Sequence, residues 1–372
     1  MKKEILLLCF LFLLFGCVQK KEKHIIYVKN TDFPLTESIY GEVILKKDYN
    51  KNLSIDVFDD ILLIRPDYSS SIYYHAYDKN SLKYLGGIGV RGEGDKEWLT
   101  VYDSGQFEKS GSEIYLWLHR YQKGFLSKIN ISKTLKSGSP YPVIEKTLKV
   151  DSKDFPFFTL FTLNNEKLIG NCWMSEEGQV RIKSYNIATK VVKKSKLFPQ
   201  IKNSSHLPSE VINSLYSSGF RKHPSKNLFM QSMYMFNRID IFDENLTLKH
   251  SIVGGENWRD NYYDGTEINP ASDFFKNRVN GYISSRVTKN YILVVDSNKK
   301  KSIIDNFVKE SYIKIFNWEG QPICILKTSD NIFSISLDEE DGILYATDVV
   351  NEKILRYNIK KIMEKWKKLK RF

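Results

Sequence analysis

At residues 77–80 the chain reads Tyr77-Asp78-Lys79-Asn80, and an element of the same kind returns as Ile129-Asn130-Ile131-Ser132, Tyr185-Asn186-Ile187-Ala188-Thr189, Phe242-Asp243-Glu244-Asn245, Phe316-Asn317-Trp318-Glu319-Gly320 and Tyr357-Asn358. Each copy ends an apolar run in an aromatic residue or Ile, continues with Asp or Asn, and reaches another run after a few polar residues. The physical reading is a hairpin. The bulky side chain fills space between stacked sheets, while the Asp or Asn side chain bonds nearby backbone amides and starts the turn. Upstream of each copy stands one further apolar strand: residues 61–64, 114–118, 167–170, 228–230, 291–295 and 343–345.

Six hairpins thus pair with six strands, at intervals of 52, 56, 57, 74 and 41 residues. Propeller blades repeat at about 40–50 residues, so the expected fold is all-β: a six-bladed β-propeller over residues 33–359. The 74-residue interval absorbs an insertion between Asn257 and Arg278, together with a turn at Lys299-Lys300-Lys301. After Tyr357 no outer strand follows, so the run from Ile39 to Leu45 is expected to close the ring against the last blade. Pro208, Glu210, the apolar face Val211, Ile212 and Leu215, and a stop at Gly219 predict a short helix between blades three and four. Ile359, Ile362, Met363, Trp366 and Leu369 recur at helical spacing among lysines, which makes residues 360–372 a basic amphipathic helix. Its apolar face is expected to pack on the propeller; the alternative is a helix lying on an anionic membrane.

Composition agrees with this architecture. The 372 residues include 22 Tyr, 22 Phe and 42% hydrophobic residues, enough apolar surface to exclude a disordered chain. Only four are alanine, which counts against a helical fold.

The amino end carries an address. Met1-Lys2-Lys3-Glu4 precedes an apolar run from Ile5 to Phe15, too short to span a bilayer and of the length of a signal-peptide core. Leu14-Phe15-Gly16-Cys17 resembles the bacterial lipobox, in which the cysteine is diacylated and becomes the mature N-terminus. Residues 1–16 are therefore expected to be cleaved, with Cys17 lipidated and 17–32 a polar tether. Cys9 leaves with the signal, and the two cysteines of the body, Cys172 and Cys324, are expected to be small buried residues rather than a bridge.

A formal charge of +12 would suit nucleic acid, but its distribution argues otherwise. Residues 1–16 carry +1, 17–30 carry +3 and 360–372 carry +6, leaving +2 for 31–359. The body is nearly neutral, and the basic segments flank it, one beside the lipid site. No nucleic-acid partner is expected.

The densest local motif is Gly86-Gly87-Ile88-Gly89-Val90-Arg91-Gly92-Glu93-Gly94-Asp95-Lys96-Glu97-Trp98. It lacks the strand-to-helix setting and the Gly-Lys-Ser/Thr of a phosphate loop, so it reads as a glycine-permitted turn near the channel. Here the chain resembles the TolB-like six-bladed propeller lipoproteins common in Bacteroides and relatives. Gly89, Arg91, Gly92, Gly94 and Glu97 match that family's Gly-x-Arg-Gly-x-Gly-Pro-x-Glu-Phe loop, with Asp95 in place of Pro and Trp98 in place of Phe. Phe316, Asn317, Trp318, Gly320 and Pro322 match its late hairpin. The resemblance implies an exported, lipid-anchored propeller whose molecular role is mostly undefined; the expected address is the outer membrane, on its periplasmic or its surface face.

Catalytic patterns are few. There is no Gly-x-Ser-x-Gly elbow and no His-Glu-x-x-His, and the six histidines are scattered singly. Residues 48–59 hold Asp48, Asn50 and Asn52 at calcium-loop positions, but Leu53 stands where Gly is required. The expected role is a non-catalytic binding module for an envelope protein, peptide or glycan, with no cofactor or metal. Candidate loop and channel residues are Arg91, Gly92, Gly94, Asp95, Glu97 and Trp98; Trp98, Trp117, Trp173 and Trp258 are each expected to fill space between blades, the alternative being channel aromatics that stack on sugars. The alternative is a metal-dependent propeller hydrolase or lactonase whose carboxylates converge on the axis.

Overall fold

The computed structural model describes residues 24–46, 52–66, 70–150, 157–164, 166–172, 181–195, 216–234, 236–254, 281–296, 310–348 and 350–369. Three strands come first: β1 (Ile25–Val28), β2 (Thr36–Ser38) and β3 (Glu42–Lys46). Blade one holds β4 (Asn52–Phe58), β5 (Ile61–Pro66), β6 (Ile72–Asp78) and β7 (Tyr84–Val90). Blade two is β8 (Val101–Ser110), β9 (Glu113–Arg120), β10 (Phe125–Asn130), helix α1 (Ile131–Ser137) and β11 (Val143–Lys149). Blade three is β12 (Phe157–Leu163), β13 (Lys167–Cys172), β14 (Ile182–Asn186) and β15 (Val192–Lys194). Blade four runs β16 (Ser218–Lys222), β17 (Leu228–Met233), β18 (Arg238–Asp243) and β19 (Leu248–Gly254). Blade five runs β20 (Tyr282–Val287), β21 (Tyr291–Asp296), β22 (Ser311–Asn317) and β23 (Pro322–Thr328). Blade six has β24 (Ile332–Asp338), β25 (Ile343–Asp348) and β26 (Lys353–Asn358), followed by helix α2 (Lys360–Leu369).

Each blade is an antiparallel meander, and the first strands of the blades meet one another around the axis. The hairpin element falls in the same place every time, at the end of the third strand. In all six copies the Asp or Asn Oδ1 accepts a backbone N–H two to four residues on, at 2.7–3.2 Å. The preceding Tyr77, Ile129, Phe242, Phe316 and Tyr357 are buried and Tyr185 is half-buried. At Asn130 the same bond, from Lys133, starts α1 instead of a tight turn.

The ring closes as the apolar run after Ile39 predicts. β3 lies antiparallel on β26, with Leu45 opposite Ile354 and Val43 opposite Leu355, and supplies the fourth strand of blade six. Gly41 is required at the entry, since a Cβ there would sit 2.8 Å from the Tyr357 ring. Tyr357 in turn donates to Asp330 Oδ2 at 2.6 Å.

Two features differ from expectation. The chain is docked from Ile25, not free to residue 32: β1 pairs in parallel with β19 and β2 with β23, making blades four and five five-stranded. Ile25, Ile26 and Val28 have the composition of an edge strand, and the outer strand of a blade offers them unpaired backbone groups. Gly219, expected to stop a helix, lies inside β16; residues 208–215, the insertion at 257–278 and Lys299–Lys301 fall outside the described residues.

The helix α2 lays one face on the ring. Ile359, Met363 and Trp366 are buried in the core of blades five and six, with Trp366 edge-on to Tyr291 at 5.5 Å. Lys360, Lys361, Lys365, Lys367 and Lys368 are exposed. Beneath the helix, Cys324 is a buried free thiol whose pKa burial pushes up to about 12. Between blades three and four, Asp240 is held by Arg181 and Arg238, each at 2.7 Å, and by Ser251 at 2.6 Å. Burial alone would raise this carboxyl, but the two guanidiniums keep it below the usual range.

Candidate functional site: the mouth of the central channel

The inner strands β4, β8, β12, β16, β20 and β24 all begin on one face of the ring, and the six Asp/Asn turns lie on the other. At the face where the inner strands begin, five of the six break register with their neighbours: between Asn52 and Ser54, Asp103 and Phe107, Phe157 and Leu160, Tyr282 and Ser284, and Ile332 and Ser334. Bulges of this kind re-aim side chains. Those of blades one, two, five and six border a cavity of about 200 Å3 on the axis, whose lining includes Gly105, Ile283 and Phe333 from the bulges themselves.

Three charged residues, two in this lining and one paired with it, share one structural position. Asp56 stands opposite Leu63, Arg221 opposite Met230 and Arg286 opposite Leu293. Those three partners each follow the residue paired with the buried hairpin aromatic of their blade, Tyr77, Phe242 and Phe316. Blades one, four and five therefore present one acid and two arginines from equivalent points of the ring. Arg286 reaches Asp56 with both Nε and Nη2, at 2.9 and 3.2 Å, a fork-to-carboxylate pair that spans the channel. Burial raises the Asp56 carboxyl and the Arg286 charge opposes that rise.

Arg221 is placed differently. Its Nε and Nη1 donate to the carbonyls of Ser285 and Phe220, at 3.1 and 3.0 Å, and no carboxylate among the described residues lies within ion-pair distance. Burial and then repulsion from Arg286 lower it to about 10, so it remains a cation at neutral pH. Arg65 and Asp103 complete the charged lining, and Asp103 Oδ1 accepts the Gly105 N–H at 2.6 Å across the bulge. Burial, and next the Asp103 charge, push the Tyr74 phenol well up. Tyr234 and Phe333 are the exposed aromatics of the lining.

Chemically this is a polar cavity with net positive character. The carboxylate of Asp56 is committed to a guanidinium, and three arginines around the mouth oppose the approach of a metal cation. No group of three His, Cys, Asp or Glu side chains among the described residues could hold a metal. Asp59, the twelfth position of the calcium-like stretch, pairs with Lys109 at 2.6 Å.

The glycine-rich motif lies on the same face but outside the cavity. Gly86, Gly87 and Gly89 belong to β7, and the chain turns through residues 91–98 with Arg91 bridged to Trp98. Trp98 is buried between blades one and two, edge-on to Tyr73 at 5.6 Å, and fills the space that a Cβ on Gly89 would need. Arg91 stacks over the Tyr73 ring at 3.9 Å, Glu97 Oε2 accepts the Gly94 N–H at 3.0 Å, and Lys123 donates to the Gly94 and Asp95 carbonyls. These contacts fold the loop on itself and fix it to blade two. Trp117 is likewise an inter-blade filler, its Nε1 donating to Glu108 at 2.7 Å. Cys17, Trp173 and Trp258 lie outside the described residues. Arg221, Arg286, Asp56, Tyr234 and Phe333 escape sequence reasoning. Their one signal, an arginine at the same register of two inner strands, shows only once those strands are aligned by pairing.

The ring and its axial mouth define a six-bladed propeller with a polar channel opening. Within that class the chain belongs to the TolB-like 6-blade propeller-like family, whose model matches residues 36–340. A crystal structure of a member of the DUF4221 family from Bacteroides vulgatus superposes with a TM-score of 0.54 at 10% identity, covering 86% of this chain and 97% of that one. Hydrazine synthase from Kuenenia stuttgartiensis is similar at a TM-score of 0.45 and 11% identity, over 87% of this chain and 81% of that one. The Cps50 (Swd1) propeller domain gives 0.43 and 10%, over 86% and 99%. These likenesses concern the fold. No curated protein matches the chain in sequence.

Proposed function

We propose that this chain is an exported propeller, held at the outer membrane by lipid on Cys17, that acts as a non-catalytic binding module for an envelope protein, peptide or glycan. The observation that carries the reading is the channel mouth: an open cavity of about 200 Å3, lined from inner strands of five blades, with its charged groups held by hydrogen bonds rather than aligned for proton transfer. The lipobox-like Leu14-Phe15-Gly16-Cys17 supports the anchor, and the exposed lysines of α2 add a surface attractive to anionic headgroups.

Membrane fractionation of wild type and Cys17→Ala tests the anchor, with washes at low salt and at about 1 M salt, where charge attraction is screened within roughly 3 Å. Wild type should stay with the membrane through both washes and Cys17→Ala should be released. Retention of Cys17→Ala through the high-salt wash would sink the lipid-anchor reading. Capture of partners from intact envelopes tests the binding role: a partner retained by the wild-type chain and lost with Arg221→Gln supports it, and retention that ignores every mouth substitution removes it.

A further inference from the structure

The channel mouth combines three features that point to one ligand chemistry. First, Arg65, Arg221 and Arg286 stand against Asp56 and Asp103, which leaves one net positive charge, and Arg221 has no acidic partner among the described residues. That balance suits a monoanion. Second, Ser54, Ser284 and Ser334 stand in the lining, serines contributed by blades one, five and six. Third, Tyr234 and Phe333 line the mouth as residues 37% and 39% exposed, and Phe333 is presented by a bulge of an inner strand.

A cation, several serines and two exposed aromatic residues around a cavity of about 200 Å3 match a carboxylated sugar. Its carboxylate would face Arg221, its hydroxyls would meet serine hydroxyls of the lining, and its C–H face would stack on an aromatic ring. The polar lining disfavours an apolar peptide side chain, and the two acids disfavour a dianion.

We propose that the mouth of the channel binds a saccharide bearing a carboxylate, a uronic acid unit, with Arg221 as its anion contact and Phe333 or Tyr234 as its stacking surface. This rests on the reading of the chain as a binding module.

The test is calorimetric titration of the full chain, purified in detergent, with D-glucuronate, D-glucose and acetate, repeated on Arg221→Gln and Phe333→Ala. Glucuronate should bind saturably, at least tenfold tighter than glucose or acetate. Arg221→Gln should weaken it about tenfold or more, and Phe333→Ala, an exposed position whose loss leaves the core intact, several-fold. Glucose binding as tightly as glucuronate would overturn the carboxylate assignment, and acetate binding as tightly would overturn the stacking assignment. No binding of any of the three overturns the proposal, while partner capture from envelopes through the same mouth would leave the wider binding-module reading standing.

Discussion

His223 provides a sharp test of the packing between blades four and five. It is fully buried, its Nδ1 accepts the backbone N–H groups of Ser225 and Lys226 at 3.0 Å each, and its ring lies 4.7 Å from that of Trp318. Burial, then the charges of Lys226 and Lys222, lower its pKa to about 4. A free histidine titrates near 6.5, so the unfolded chain takes up the proton first as pH falls. The stabilisation from keeping this ring neutral is therefore complete above about pH 6.5 and is lost progressively down to about pH 4. Taking the two values as about 4 and about 6.5, the loss between pH 7 and pH 5 is about 2 kcal/mol. His223→Asn keeps an oxygen able to accept both amides and removes the titration. Urea unfolding at pH 7 and pH 5 should show wild type losing about 2 kcal/mol more than the variant, while shifts from other groups, His250 included, cancel between them. Equal pH dependence in the two proteins, within about 0.5 kcal/mol, would refute the assignment, as would a histidine NMR titration placing His223 near 6.5.

Other substitutions probe other joints of the ring. Trp366→Ala removes the buried anchor of α2 from Tyr291 and the blade five and six core, and should cost about 3–5 kcal/mol in chemical denaturation; a cost under about 1 kcal/mol would mean the helix is not docked. Gly89→Ala places a Cβ 2.2 Å from Trp98 Cζ3 at a residue with φ +79°, and should lower stability by about 2–5 kcal/mol, read as a fall in Tm by circular dichroism.

The outer half of each blade is written plainly in the chain, because its signals are local. An Asp or Asn that bonds the next few amides needs no partner from elsewhere, so Asp78, Asn186 and Asp243 mark their turns without knowledge of the fold. The inner strands are different. Their bulges at Ile283 and Phe333 disturb the alternation that would flag a strand, and their side chains answer to the axis rather than to a core face. Arg221 and Arg286 become comparable only through pairing with Met230 and Leu293. The parallel additions of β1 and β2 rest on contacts across more than 200 residues, beyond any local pattern. The glycine-rich loop is the opposite case: Gly89 makes room for Trp98 between blades, and Gly92, Glu97 and Trp98 border a separate cavity, while the exposed aromatics of the axial mouth are Tyr234 and Phe333.

The docking of β1 on the rim also sets the length of a leash. With Cys17 lipidated as proposed, eight residues separate the acyl group from Ile25, where the chain is already hydrogen-bonded to blade four. Fully extended, they reach at most roughly 28 Å. The outer edge of blade four would then ride within about one bilayer thickness of the lipid. A ring held at its rim on so short a leash would keep the mouth near the membrane surface, so its ligands would be ones met there.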